Sequence, residues 1–352
     1  MQLNDLLAQA GGLSSIAREL GISEQQAQAG AAALLPAILG GFSKQAQAQP
    51  SGMGGLGDLL GQLGGGVLRD AHPKTVGLLR GRFVVEPDLP AELRVGLFKA
   101  PATHDCWIRF SNSSGTPQAD AKPDARGVAI KLMAAAGKSF GQDFILLSAP
   151  VMPLGTVALF RDAVHYAIES SPLLLAGKLI LTGHPSVLLG LAALRIQPAS
   201  LLDIRYWSTT PYRFGKDQAV KYSLVPTSIH KSRRKANPGD DYLADAMQAH
   251  LDKHVASFDF CVQQQRDDMP IEDAAVRWDE RRSPFRKVAT LLIPKQSFRN
   301  PSRKAMAETL SFSPGTAKPA HAPLGGLNRA RVQIYKALSQ FRHRRDKRKD
   351  LA

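Results

Sequence analysis

Residues 205–215 combine side chains that could bind and tune a metal cofactor. They read Arg-Tyr-Trp-Ser-Thr-Thr-Pro-Tyr-Arg-Phe-Gly, so phenols, other aromatic rings and two guanidinium groups lie close together in the sequence. A tyrosine presented on a helix next to arginines can ligate ferric haem as a phenolate. The competing interpretation is that Tyr206 and Trp207 are core aromatics, which is the commoner role of such residues. The ligand interpretation therefore depends on what accompanies this segment elsewhere in the chain.

A second segment, far upstream, supplies a histidine within Arg69-Asp70-Ala71-His72-Pro73-Lys74. An imidazole held over a haem face can take a proton from one peroxide oxygen and deliver it to the other, which is the acid–base work that O–O cleavage requires. Taken alone, His72 would be interpreted as a turn or surface histidine. Two more stretches follow it, Trp107-Ile108-Arg109-Phe110-Ser111 and Asp124-Ala125-Arg126-Gly127-Val128-Ala129-Ile130-Lys131.

In their order and separations these stretches resemble the catalase superfamily, from Arg69 to about Arg342, and they are most similar to its short catalase-related members. The resemblance implies haem b as the iron cofactor. It implies that His72 is the distal histidine and that Ser111 hydrogen-bonds its other ring nitrogen. It further implies that Tyr206 is the proximal iron ligand.

The same resemblance implies that three arginines bind the haem propionates: Arg69, Arg109 and Arg213. Guanidinium groups suit this role because their fork of donors matches a carboxylate. For any one of them considered alone, an ordinary surface salt bridge is the commoner role.

The chain departs from the catalase pattern on both sides of the expected haem. Catalases carry an arginine one helical turn before the ligand tyrosine, where its charge keeps the phenolate ionised, and here that position is Leu202. On the distal side the family has an asparagine before a Pro-Val-Phe-Phe run, whereas residues 147–153 read Leu-Ser-Ala-Pro-Val-Met-Pro. Ser148 is the expected partial replacement, with Gln142 and Asp143 as alternatives.

The fold expected from the sequence is α+β, an eight-stranded antiparallel β-barrel of catalase type with a helical insertion and C-terminal helices. Alternating apolar runs between turn residues predict its strands: Leu79–Val85, Val95–Phe98, Cys106–Ser111, Gly127–Met133, Phe144–Leu147, Ala219–Val225, Ser257–Gln263 and Val288–Ile293. Apolar periodicity predicts the helices: Phe160–Ile168, Leu173–Leu181, Ala246–Val255, Arg303–Leu310 and Leu327–Arg345.

Composition shifts divide the chain into four parts. Residues 1–45 read as a small all-α accessory domain, 46–66 as a Gly/Gln/Ala-rich linker, 67–342 as the haem-binding domain and 343–352 as a basic tail. The first part resembles a small bacterial helical family of unknown function (YidB-like), through Ala10-Gly11-Gly12-Leu13, Leu34-Leu35-Pro36 and Leu39-Gly40-Gly41.

Composition and charge exclude several classes of protein. The chain has 352 residues and a net charge of +15, which favours anionic partners such as haem propionates, and the basic tail is interpreted as a solvated terminus, not as a specific nucleic-acid site. Two isolated cysteines, Cys106 and Cys261, indicate neither disulfides nor a zinc site. Without a secretory signal or a spanning segment of about 20 apolar residues, a cytoplasmic location is expected.

These observations predict a haem-dependent peroxidase or catalase-type oxidoreductase. Its expected partners are a peroxide substrate and, as a further reductant, an organic electron donor. A homo-oligomer is compatible with the sequence. Rearrangement of a hydroperoxide, or a non-catalytic haem-binding or scaffold role, are the alternatives. His250 and His254 share one helix face, but the glutamate of zinc proteases is missing, so a surface helix is the better interpretation. No Gly-x-Ser-x-Gly motif is present for a serine hydrolase.

Overall fold

The computed structural model describes residues 72–114, 117–134, 138–169, 172–234 and 236–349, and the side chains of 164–174 and 341–349 are excluded from the description. The predicted accessory domain 1–45, the linker 46–66 and Arg69 lie outside these residues. The described residues fall into two units, the helical segment 158–191 and a barrel unit formed by 72–157 with 192–349.

The barrel unit is built on one antiparallel sheet of nine strands. They are β1 (Thr75–Val85), β2 (Thr103–Asn112), β3 (Arg126–Met133), β4 (Ser139–Leu147), β5 (Tyr206–Trp207), β6 (Tyr212–Phe214), β7 (Gln218–Pro226), β8 (Ala256–Gln264) and β9 (Arg286–Ile293). Their order is β5-β4-β3-β2-β1-β9-β8-β7-β6, and β5 also pairs with β7. The sheet therefore closes on itself through eight strands, with β6 attached outside the ring along β7. This confirms the predicted eight-stranded antiparallel barrel.

One predicted strand is wrong. Val95–Phe98 was expected to be extended, but Gly96–Phe98 forms a 3-10 turn in which Gly96 has a φ of 53°. That left-handed backbone is open to glycine and breaks a strand. Leu97 and Phe98 are nevertheless buried, so their apolar character reflects a core position and not a strand. The eighth strand of the ring is instead β5, which is only two residues long.

Aromatic side chains fill the interior of the barrel. Phe83, Phe144 and Phe260 are almost fully buried, and the ring centroids of Phe83 and Phe260 lie 5.0 Å apart while those of Phe144 and Phe260 lie 4.6 Å apart. Tyr222 packs against the same group, 5.2 Å from Phe144. Such ring pairs each contribute about 0.5–1.5 kcal/mol beyond the burial of their area. A packed aromatic core thus holds the strands that carry the site in fixed positions.

In chain order, helices lie between β4 and β5, between β7 and β8, and after β9. The helical unit contains α1 (Val157–Glu169), α2 (Pro172–Leu181) and α3 (Pro185–Ala193), and the barrel unit contains α4 (Tyr242–Lys253), α5 (Pro301–Thr309) and α6 (Gly326–Lys349). The predicted helices are confirmed, and α6 extends beyond its predicted end through most of the basic tail. In α5 the side chain of Asn300 caps the first turn by accepting from the Arg303 amide. Within the described residues, no helix has the length and hydropathy to cross a bilayer.

Candidate functional site

His72 lies just before β1 and is held in a strained backbone conformation. Its φ of 57° is in the left-handed region, which residues other than glycine rarely adopt. Its Nδ1 lies 3.0 Å from the hydroxyl of Ser111 on β2. The Nη2 of Arg109, also on β2, donates to the His72 carbonyl at 2.6 Å, while its Nε donates to Thr75 Oγ1 at 3.0 Å. These contacts fix both the backbone and the ring of His72, as is typical of strain held at a functional site.

Gly127 supplies the space in which the His72 ring lies. It is paired with Ser111 across the β2–β3 ladder, so both residues present the same face to the histidine. A Cβ added to Gly127 would lie 2.8 Å from both Cε1 and Nδ1 of His72 and 3.0 Å from Ser111 Oγ. No larger residue fits without moving the imidazole, which gives a physical reason for glycine in this position.

The pKa of His72 is lowered from 6.5 to about 3. Burial is the largest cause, because a charged imidazole loses its hydration, and the positive charges of Arg109 and Arg331 act in the same direction. His72 is therefore neutral at physiological pH. In this form the ring can accept a proton from a ligand bound beside it.

Arg331, on the second turn of α6, is the second guanidinium whose charge lowers the pKa of His72. It is 9% exposed, and its Nη1 donates to Thr210 Oγ1 at 3.2 Å and to Asn328 Oδ1 at 3.1 Å. Its guanidinium carbon lies 5.7 Å from the ring centroid of Tyr335, one helical turn further on. The charge of Arg331 also lowers the pKa of His72, so this guanidinium interacts with both the Tyr335 ring and the histidine.

Sequence reasoning missed this pair, although its signal was present. The arginine expected one helical turn before the tyrosine ligand is absent at Leu202, but Arg331-Val332-Gln333-Ile334-Tyr335 has that spacing. On an α-helix, residues four apart lie on one face, so the guanidinium and the phenol can meet. In the sequence, Tyr335 lies inside the predicted helix Leu327–Arg345, to which no site residue was assigned.

A second phenol borders Arg331. Tyr212 on β6 is 1% exposed, and its hydroxyl makes no hydrogen bond of normal geometry. Burial raises the pKa of Tyr212, and the charge of Arg331 partly opposes that change. The side chains of Thr210 and Arg331 also interact with this hydroxyl, which partly opposes the effect of burial.

Tyr206 has a different position from the one expected. It lies on β5 and not on a helix, so the helical expectation for this residue is wrong. Its side chain is fully buried, and its hydroxyl donates to the carbonyl of Leu201 at 2.8 Å. Burial raises its pKa well above 10.0, and the charge of Arg126 only partly opposes this. Tyr206 pairs with Leu224 on β7 and thus helps to close the barrel.

The remaining predicted residues have different surroundings. Arg109 contacts His72, whereas Arg213 is exposed on β6 between two buried residues. The hydroxyl of Ser148 accepts from the Arg126 amide at 2.9 Å and therefore serves the β3–β4 connection. Gln142 accepts from the Lys318 amide, and Asp143 is bound by Lys131 at 2.8 Å. Neither of the two alternatives to Ser148 is therefore free to serve a distal site.

The closed eight-stranded antiparallel barrel with its accompanying helices has a catalase-like fold. Comparison with solved structures agrees. The chain is similar to a fungal catalase (TM-score 0.66, 18% identity), to catalase A from Saccharomyces cerevisiae (0.65, 18%) and to a bacterial catalase (0.62, 17%). In each case 82% of this chain is covered, but only 62%, 64% and 60% of the respective catalase. At this identity the likeness establishes the fold.

The N-terminal segment matches a family of its own. Residues 4–77 match the model of a bacterial protein family of unknown function (DUF937), which agrees with the expected resemblance of the first domain. No curated protein sequence matches the chain significantly. The chain therefore joins a segment similar to that family to a catalase-like barrel, and it spans less than two thirds of the length of the catalases it matches.

Proposed function

We propose that this chain is a haem-dependent, catalase-related enzyme that acts on hydrogen peroxide or organic hydroperoxides, with His72 as the acid–base residue and Tyr335 as the iron ligand. The observation that carries the proposal is the position of Arg331. Its buried guanidinium contacts the Tyr335 ring, while its charge lowers the pKa of His72. Arg331 therefore interacts with both of the groups that such an enzyme requires, which supports the proposal.

The residues present fit a haem with a tyrosine ligand. A phenol follows a buried arginine by one helical turn, and the bare Gly127 leaves room for the histidine ring. Arg109 lies beside His72 and is suited to a carboxylate as its further partner. Haem, when bound, supplies the redox chemistry of peroxide cleavage.

The chain's own groups then have separable tasks. His72 is neutral and takes a proton from the incoming peroxide, because its pKa of about 3 keeps it unprotonated. Ser111 orients the ring through Nδ1. The Arg331 guanidinium lies beside the Tyr335 ring, and Thr210 and Asn328 hold that guanidinium in place.

Tyr335 takes the ligand role in this proposal in place of Tyr206. The Tyr206 hydroxyl already donates its proton to the Leu201 carbonyl, and burial raises its pKa. Ionising that phenol would break a buried hydrogen bond and place a charge inside the barrel core. Tyr335 is only partly buried and has a guanidinium beside it.

One observation favours an organic hydroperoxide as the substrate. Leu147 stands directly opposite Gly127 in the β3–β4 register, so its side chain lies on the sheet face that carries His72. The next residue, Ser148, adds no polar group beside Leu147 for the substrate, because its hydroxyl accepts a hydrogen bond from the Arg126 amide. An apolar neighbour of the histidine suits an alkyl hydroperoxide better than hydrogen peroxide, and it leaves reduction and rearrangement as the two reactions to compare.

Substitution of each tyrosine tests the ligand assignment. The full-length protein would be reconstituted with haemin, and ultraviolet–visible spectra recorded for wild type, Tyr335→Phe and Tyr206→Phe. We expect the ferric tyrosinate spectrum to be lost in Tyr335→Phe and kept in Tyr206→Phe, which should instead lose stability because its buried hydrogen bond is removed. The opposite pattern would return the ligand role to Tyr206.

Turnover measurements separate the candidate activities. Oxygen release from hydrogen peroxide indicates dismutation, oxidation of an added phenolic donor indicates a peroxidase, and consumption of a fatty-acid hydroperoxide without donor indicates rearrangement. We expect higher turnover with the organic hydroperoxide. Stoichiometric haem uptake without any turnover would support a non-catalytic haem-binding protein, and absence of haem uptake would refute the proposal.

A further inference from the structure

Three histidines meet at the C-terminal end of α4, on residues that the proposed haem chemistry does not use. His250 and His254 lie on or next to the last turn of α4, and His230 comes from the segment that follows β7. The ring centroid of His230 lies 4.7 Å from that of His250 and 4.6 Å from that of His254, and the other two are 6.0 Å apart. The sequence shows the pair on the helix, and only the fold adds the third ring.

His250 has the hydrogen bonding of a metal ligand. It is 1% exposed, and its Nε2 lies 3.2 Å from the Val255 carbonyl, which can only accept, so the proton is on Nε2. Nδ1 then carries a lone pair, and this buried atom has no hydrogen-bond partner. Metal-binding histidines typically donate their second ring N–H to a carbonyl or carboxylate in this way, which fixes the tautomer and directs the other nitrogen to the metal.

A carboxylate with an unsatisfied oxygen is near the same histidine. Asp203 acts electrostatically on His250, and its Oδ2 accepts from the Ser232 amide at 2.8 Å, two residues after His230. Its Oδ1 is buried without a hydrogen bond, and the ammonium group of Lys231 lies 3.8 Å from it. Negative charge at this position favours a cation beside the imidazoles.

We propose that His230, His250 and His254 form a binding site for a divalent transition metal of the zinc class, with Asp203 stabilising its charge. Imidazole nitrogen suits zinc, copper and nickel, and neutral histidines bind zinc at about 2.0–2.1 Å. Three imidazoles on one tetrahedral ion have ring centroids roughly 5 Å apart, and the three distances here are 4.6, 4.7 and 6.0 Å.

Binding requires rotation of side chains. The His230 and His254 rings are nearly parallel, with an interplanar angle of 14°, and in their present rotamers the described residues contain no group of three His, Cys, Asp or Glu side chains placed to hold a metal ion. Both of these histidines are exposed, so their χ angles can change at low cost, whereas the buried His250 supplies the fixed nitrogen. The metal would tie the segment after β7 to the end of α4.

The site can be tested with metals alone. Full-length protein without a histidine tag would be treated with chelator, equilibrated with zinc, desalted and analysed for zinc by elemental analysis, and cobalt would be added in parallel to record its visible spectrum. The variants are His230→Ala and His254→Ala, both at exposed positions, and His104→Ala is the matched control because that histidine lies on β2 against Phe140.

We expect one zinc per chain and an intense tetrahedral cobalt spectrum in wild type and His104→Ala. Each of the other two variants should bind zinc about 100-fold more weakly, since removing a partner from outside the ligand shell already costs 10–100-fold. Absence of zinc binding in wild type, or equal binding in all four proteins, would overturn the proposal. Because zinc is measured by element and not by activity, the result is independent of the haem proposal.

Discussion

Substitution of Gly127 by alanine tests whether the placement of His72 controls peroxide chemistry. The added methyl carbon would lie 2.8 Å from Cε1 and Nδ1 of His72, whereas ordinary van der Waals contact begins at 3.4 Å. The imidazole must therefore retreat by about 0.6 Å, the difference between these two values. A retreat of this size directed away from Ser111 lengthens the distance from His72 Nδ1 to Ser111 Oγ from 3.0 Å to about 3.6 Å, which is beyond the limit of a hydrogen bond.

The expected magnitude follows from these displacements. Overpacking a tight site costs about 1–3 kcal/mol, and a lost hydrogen bond about 0.5–1.5 kcal/mol, so Gly127→Ala should lower the free energy of unfolding by about 2–4 kcal/mol. A misplacement of about 1 Å at a reacting group costs roughly 100-fold in rate. A shift of about half that size should reduce peroxide turnover per haem by about 10- to 100-fold.

The assay measures peroxide consumption at equal haem content, together with the ferric spectrum and the urea midpoint. The spectrum should stay unchanged, because Arg331 and Tyr335 are untouched. Gly239→Ala is the matched control, since no atom lies within 4 Å of a Cβ built there. Turnover of Gly127→Ala within about twofold of wild type at full haem loading would refute the placement of His72 as the acid–base residue.

Three further predictions concern the charges around the site. The folded pKa of His72, about 3, is below its unfolded value of 6.5. Neutral His72 therefore stabilises the folded protein fully above pH 6.5, and this contribution is lost as the pH falls towards 3. Urea titrations should show this loss in wild type but not in His72→Gln. Arg126→Met leaves the carbonyls of Asp120, Lys122 and Ile196 without their donor and should lower the free energy of unfolding in urea by about 3–5 kcal/mol. Arg213→Met, at an exposed position, should change it by no more than about 0.5 kcal/mol. Asn328→Ala removes an acceptor of Arg331 and should shift the ferric tyrosinate band and weaken haem binding by about 10-fold; an unchanged spectrum and affinity would contradict the positioning role of Asn328.

The sheet could be predicted from the sequence wherever one strand face is buried. Alternation along the segments that became β7 and β8 reports directly on the barrel interior, and the observed strands extend the predicted ones by only a residue or so at each end. The same signal failed at Leu97 and Phe98, because a turn can also bury two consecutive apolar residues. It failed again at β5, since a two-residue strand carries no period.

Only part of the candidate site could be predicted from the sequence. The sequence by itself identified His72, Ser111 and Arg126-Gly127 as candidate site residues, because each has a characteristic local spacing. The antiparallel register of β2 and β3 then brings them together. Only the tertiary structure distinguishes the surroundings of the two candidate tyrosines. Tyr206 and Tyr335 both have arginines nearby in sequence, but barrel closure commits the Tyr206 hydroxyl to a carbonyl, whereas the packing of α6 directs the Arg331 charge towards His72. Contacts between residues more than a hundred positions apart are set by packing, and no local pattern records them.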